Sequence, residues 1–123
     1  MNQKEAQELI LKDVISFYNS RNRSVTTNAH DNNQCMYNGP DGKHCAAARW
    51  MTDPSKAIEH RSVKHMMNLL KPEAQLAGGF FMATIQDLHD CESNWDSKGL
   101  SDHGKIMVAE ISRAFRISNP LES

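Results

Sequence analysis

The chain has 123 residues, 39% of them apolar and 24% charged, enough for one ordinary core and too few for two, so a single domain over residues 1–123 is expected. Lys and Arg number 14 against 15 Asp and Glu, and the formal charge of -1 lacks the clustered cations that a phosphate backbone demands, so no nucleic-acid partner is expected. No apolar run approaches the roughly 18 residues of a membrane span, and Met1 to Glu5 carry nothing like the apolar stretch of a signal peptide, which predicts a cytoplasmic protein without a membrane partner.

The first element is an amphipathic helix over residues 4–18, with Ala6, Leu9, Ile10, Val14, Phe17 and Tyr18 as its buried stripe. The chain is then polar as far as Asn33, with Val25-Thr26-Thr27 as a short edge strand and with Arg21 and Arg23 read as solvated.

Gln34 to Met51 reads as a tight hairpin running straight into a helix. Gly39-Pro40-Asp41-Gly42 fits a type I turn in which Pro40 takes the second position and Gly42 the positive φ of a bulge. With Pro40, Asp41 and Gly42 as the loop, Tyr37 stands opposite Cys45, and alternation puts Cys35, Tyr37 and Cys45 on one face. The count of three cysteines is odd, and a reducing compartment keeps them as thiols.

From residue 46 to 77 the caps and prolines predict several short helices: an Ala run after Cys45, a start at Asp53-Pro54, and a start at Ser62 that Lys71-Pro72 interrupts. The methionines there, Met51, Met66 and Met67, are read as adaptable core filling. After Gly78-Gly79 comes a central helix with Phe81, Ile85 and Leu88 on one face and His89-Asp90-Cys91 at its end, where the helix dipole favours a protonated His89. Glu92 to Gly99 is a polar loop holding Trp95. Ser101 then caps a last helix with Gly104, Met107, Val108, Ile111 and Phe115 as its stripe, ending before Asn119-Pro120 with Arg113 and Arg116 near its C-terminus. The sum is a mainly helical α+β fold, one small antiparallel β-hairpin with four to five helices around one core.

Three readings of the chemistry use overlapping residues. In the first, Cys35, Cys45, His89 and Cys91, with His44 in reserve, hold a structural zinc ion through thiolate and imidazole. In the second, Cys45 at a helix start is the nucleophile of a hydrolase or transferase, with His89 as base and Asp90 orienting it. In the third, the protein binds without chemistry and without a cofactor. Tyr37, Arg49, Trp50, His89 and Trp95 then offer rings and charge to a nucleotide-like or anionic molecule, and removing Trp95 or Arg49 is expected to leave stability nearly unchanged.

Cys35-Met36-Tyr37 followed by Gly42-Lys43-His44-Cys45-Ala46, and Leu88-His89-Asp90 followed by Trp95, resemble a set of small uncharacterised proteins of bacterial genomes, phages and other mobile elements. The resemblance spans about residues 5–115 and brings no activity with it. In that set a Gly often follows the second Cys, where this chain has Ala48 and Arg49. The resemblance implies a mobile-element setting in which short proteins work by binding, blocking a host enzyme or sequestering a signal molecule of a defence system. The expectation is a non-enzymatic homo-oligomer that binds a host protein or a nucleotide-like molecule against or within a host defence pathway.

Overall fold

The computed structural model describes residues 1–27, 33–39, 42–59 and 61–122, and of residues 26, 27 and 33–35 the backbone only. The architecture is α+β and mainly helical: α1 (Gln3–Phe17), β1 (Val25–Thr27), β2 (Asn33–Cys35), α2 (Ala46–Arg49), α3 (Pro72–Ala77), α4 (Gly79–Asp90), β3 (Trp95–Asp96), β4 (Gly99–Leu100) and α5 (Asp102–Phe115). Short 3₁₀ turns fill residues 54–56, 63–65, 67–69 and 92–94.

A capping box starts α1: Asn2 Oδ1 accepts the Glu5 N–H at 2.8 Å, and Glu5 Oε1 accepts the Asn2 N–H at 3.1 Å. Its buried face is Ala6, Gln7, Ile10, Leu11 and Val14. Leu11 therefore replaces Leu9 and Phe17, which are 41% and 44% exposed, because the side-chain fan of the helix is centred one position away from the expected stripe. Gln7 can be buried because its Nε2 donates to the Ala77 carbonyl at the end of α3, at 3.0 Å. In α4, Phe81, Ile85 and Leu88 point into the core as expected, together with Met82. Met51 and Met66 fill it from the irregular segment, and Val108 and Ile111 close it from α5.

Residues 25–27 pair antiparallel with 33–35, Val25 against Cys35, so the expected edge strand is one arm of the principal hairpin. The second arm expected for residues 37–45 shrinks to a single bridge between Asn38 and His44, the register that sets Tyr37 opposite Cys45. Gly42 has φ +73°, the left-handed value read for it, while Pro40 and Asp41 of the turn lie outside the described residues. Tyr37 and Cys45 are both buried; the Cys35 side chain, the third member of that face, lies outside the described residues. Beyond the ladder the chain turns a corner at residues 37 and 38, where the Glu59 carboxylate accepts both N–H groups, at 2.8 and 3.1 Å.

The segment from Glu92 to Gly99 departs from the expected loop. It makes a 3₁₀ turn and then a second small antiparallel hairpin, Trp95 against Leu100. Trp95 is held by burial, which an eight-residue reading of polarity cannot register. Ser101 caps α5 by accepting the Gly104 N–H at 3.1 Å. Gly104 lies so close to this hairpin that a Cβ there would stand 2.1 Å from the Asn94 carbonyl oxygen. Among the described residues no helix is long and apolar enough to cross a membrane.

Candidate functional site

Two groups of side chains meet at Tyr18. The first is sealed. His89 has no exposed surface, and its Nδ1–H donates to Asp90 Oδ1 at 2.8 Å, leaving Nε2 to accept the Ser24 N–H at 3.3 Å. Gln86 Nε2 donates to the same Asp90 oxygen at 2.7 Å, and Gln86 Oε1 accepts the Ala47 N–H at 2.9 Å in the first turn of α2. The Tyr18 ring meets the imidazole edge-on, centroids 4.7 Å apart, and Trp95 Nε1 donates to the Leu88 and His89 carbonyls.

Burial pushes the His89 pKa down, and this outweighs the pull of Asp90 in the other direction; the nearby Arg23 charge also lowers it. The expected dipole-favoured imidazolium is thus reversed, because desolvation dominates at a fully enclosed ring. Arg23, expected in solvent, instead donates from Nη1 to the His89 and Asp90 carbonyls, both at 3.1 Å, and so caps the C-terminus of α4. Its own pKa is lowered by burial, against the opposing charges of Glu92, Asp90 and Cys91.

Cys45 is fully buried at the N-cap of α2, and its side chain makes no capping bond. No hydrogen bond joins it to His89 among the described residues, and both His89 nitrogens are engaged elsewhere. His89 and Asp90 do meet, although neighbouring helical positions diverge by about 100°. Cys91 is exposed, with Sγ 3.1 Å from Ser93 Oγ, and His44 Nδ1–H donates to the Tyr37 carbonyl at 3.1 Å. Among the described residues no three His, Cys, Asp or Glu side chains are grouped to hold a metal ion.

Of the five candidate ligand-binding residues, Tyr37, His89 and Trp95 belong to the buried core, the Tyr37 hydroxyl donating to the Arg61 carbonyl. Arg49 and Trp50 are half-buried, and Lys71 Nζ lies 5.7 Å over the Trp50 ring. The arrangement therefore divides the set, leaving Arg49 and Trp50 as the two with access to solvent.

The second group, around Arg49, is open. A recess of about 160 Å³ lies between the end of α1 and the start of α2, lined by Phe17, Tyr18, Asn22, Gly42, Lys43, His44 and Arg49. Arg49 grips Asp13 through two bonds, Nε to Oδ2 at 3.0 Å and Nη2 to Oδ1 at 3.1 Å, and its guanidinium lies 3.7 Å over the Phe17 ring. The walls are fixed by the Tyr18 hydroxyl, which donates to the His44 carbonyl at 2.6 Å, and by Asn22 Nδ2, which donates to the Phe17 carbonyl at 2.7 Å. Lys43 makes no ion pair among the described residues.

Phe17 and Lys43 were not among the residues read from the sequence as a site. A signal for Phe17 existed: Asp13 and Phe17 are four apart, so they stack on one helix face and together present a carboxylate and a ring to one cation. The identity of that cation, 36 residues away in the chain, had no local signature. No family model, curated protein or solved structure matches the chain.

Proposed function

We propose that the chain is a non-enzymatic binding protein of phage or mobile-element type that docks on a host protein, against or within a host defence pathway. The observation that carries the reading is the recess at Phe17, Lys43 and Arg49: an open surface site whose ring and guanidinium are already locked in place, so little side-chain entropy remains to be lost on binding. Arginine is enriched at the energetic centres of protein interfaces, and phenylalanine is enriched in interfaces relative to the rest of the surface. The residues that would serve nucleophilic chemistry lend it less support, since Cys45 is enclosed and the His89 nitrogens hold Asp90 and Ser24.

The test is capture from host extract by the wild-type chain and by Lys43→Glu, followed by native mass measurement of the purified protein. A host protein held by the wild type and lost on the substitution is the expected result. Identical capture by the two chains overturns the reading, as does a retained mass of a few hundred daltons, which belongs to a sequestered small molecule.

A further inference from the structure

We infer that the recess receives a single acidic side chain, Asp or Glu, from the partner protein, an inference that rests on the binding reading above. Its size sets the first limit. About 160 Å³ lies below the roughly 300–1,000 Å³ of pockets that enclose whole small molecules. A single side chain fits this scale, whereas a nucleotide would have to lie largely outside it.

Charge sets the second limit. Arg49 is neutralised by Asp13, which takes Nε and Nη2 and leaves Nη1 without a bond to a described residue. Lys43 is the further cation on the rim, with no carboxylate paired to it among the described residues. Counted over the described residues, the recess thus carries a net positive charge beside the apolar faces of Phe17 and Tyr18, and these partly desolvate whatever enters. A carboxylate is the group that gains most there, because charge-assisted hydrogen bonds strengthen as water is excluded. The geometry also orders the two cations by role. Arg49 is pinned by Asp13 and Phe17 and serves as a fixed donor, while Lys43 supplies a point charge on a four-carbon stem with no ion-pair partner among the described residues.

The experiment is an amide-resolved NMR titration of the isotope-labelled full chain, at low salt, with acetyl-Gly-Glu-Gly-amide, its Gln counterpart and adenosine monophosphate as probes. Saturable shifts at the Lys43, His44 and Arg49 amides are expected with the Glu peptide. About tenfold weaker response to the Gln peptide, and loss of the effect in Lys43→Ala with the remaining spectrum unchanged, are expected with them. Absence of saturable shifts at these amides, equal response to Glu and Gln, or preference for the nucleotide overturns the inference. The two readings fail separately. If capture from extract depends on Lys43 while the Glu peptide shows no preference, only the acidic side chain is lost; if capture ignores Lys43, the binding site itself is wrong.

Discussion

Tyr18 has one neighbourhood on its ring edge and another at its hydroxyl, and they are built in opposite ways. Around His89 the imidazole is held between Asp90 and Ser24, the Gln86 amide between Asp90 and Ala47, and the Trp95 N–H on the end of α4, all within the chain, while Arg23 Nε is buried without a partner among the described residues. Around Arg49 the charges are equally well placed, but they stand at the surface beside an open recess. Enclosed polar groups are costly to disturb, since each lost partner leaves its counterpart both desolvated and unpaired. Exposed ones are cheap to disturb and available to bind. Histidine, cysteine and tryptophan attract attention in a sequence because they can do chemistry; in this fold His89, Cys45 and Trp95 serve the interior, while a Phe, a Lys and an Arg hold the accessible position.

The sharpest break between the two regions comes from Trp95→Ala. It empties the space beside Tyr18 and removes a donor from two α4 carbonyls, so a loss of about 3–5 kcal/mol in urea unfolding is expected. A change well under 1 kcal/mol would return Trp95 to the ligand-binding role read from the sequence. Arg23→Ala comes next. It leaves the last carbonyls of α4 without their charged donor, and about 2 kcal/mol is expected by the same measurement, with faster amide exchange at the end of α4.

The pH dependence of stability probes the sealed side with less force. The folded His89 pKa lies below the unfolded value of about 6.5, so between the two values the unfolded chain binds more protons. The contribution of His89 is therefore fully present above about pH 6.5 and is lost as pH falls through the folded pKa. Because other histidines titrate in the same range, the check is the difference between the wild type and His89→Gln. The wild type should fall more steeply in urea midpoint from pH 7.5 to 5, two values chosen roughly to span that unfolded pKa; parallel slopes would mean the ring is not enclosed.

The smallest effect is expected in the recess. Arg49→Ala removes an ion pair that is about one-third exposed on each side, so solvent screening limits the loss to about 1 kcal/mol or less while binding of the partner fails. A loss comparable to that of Trp95→Ala would make Arg49 a structural residue and erase the contrast.

The sequence revealed most of what repeats along α4 and α5 and several of the caps, though not the exact stripe of α1. The periodicity of α4 and α5, the caps at Asp53, Ser62 and Ser101, and the positive φ of Gly42 all depend on residues within a turn or two of one another. The site residues were legible in type rather than in place. Arg49 was singled out for its charge, but its partners Asp13 and Phe17 belong to another helix, and Phe17 was assigned to the buried stripe on spacing alone. Arg23 looked solvated because its acceptors are carbonyls 66 and 67 residues further on. The hairpin holding Trp95 escaped notice because its polar neighbours resemble a loop; one buried indole and the close approach of Gly104 tie it down, and neither repeats.

The corner at Tyr37 and Asn38 has a consequence for how copies of the chain treat each other. Successive N–H groups in a strand point to opposite sides, and a row of unanswered ones along an outer strand invites another chain to extend the sheet. Here two successive N–H groups converge on the Glu59 carboxylate, so neither is left as a donor for a further strand. Glu59 thus takes both donors out of play at the place where the principal hairpin turns toward Cys45.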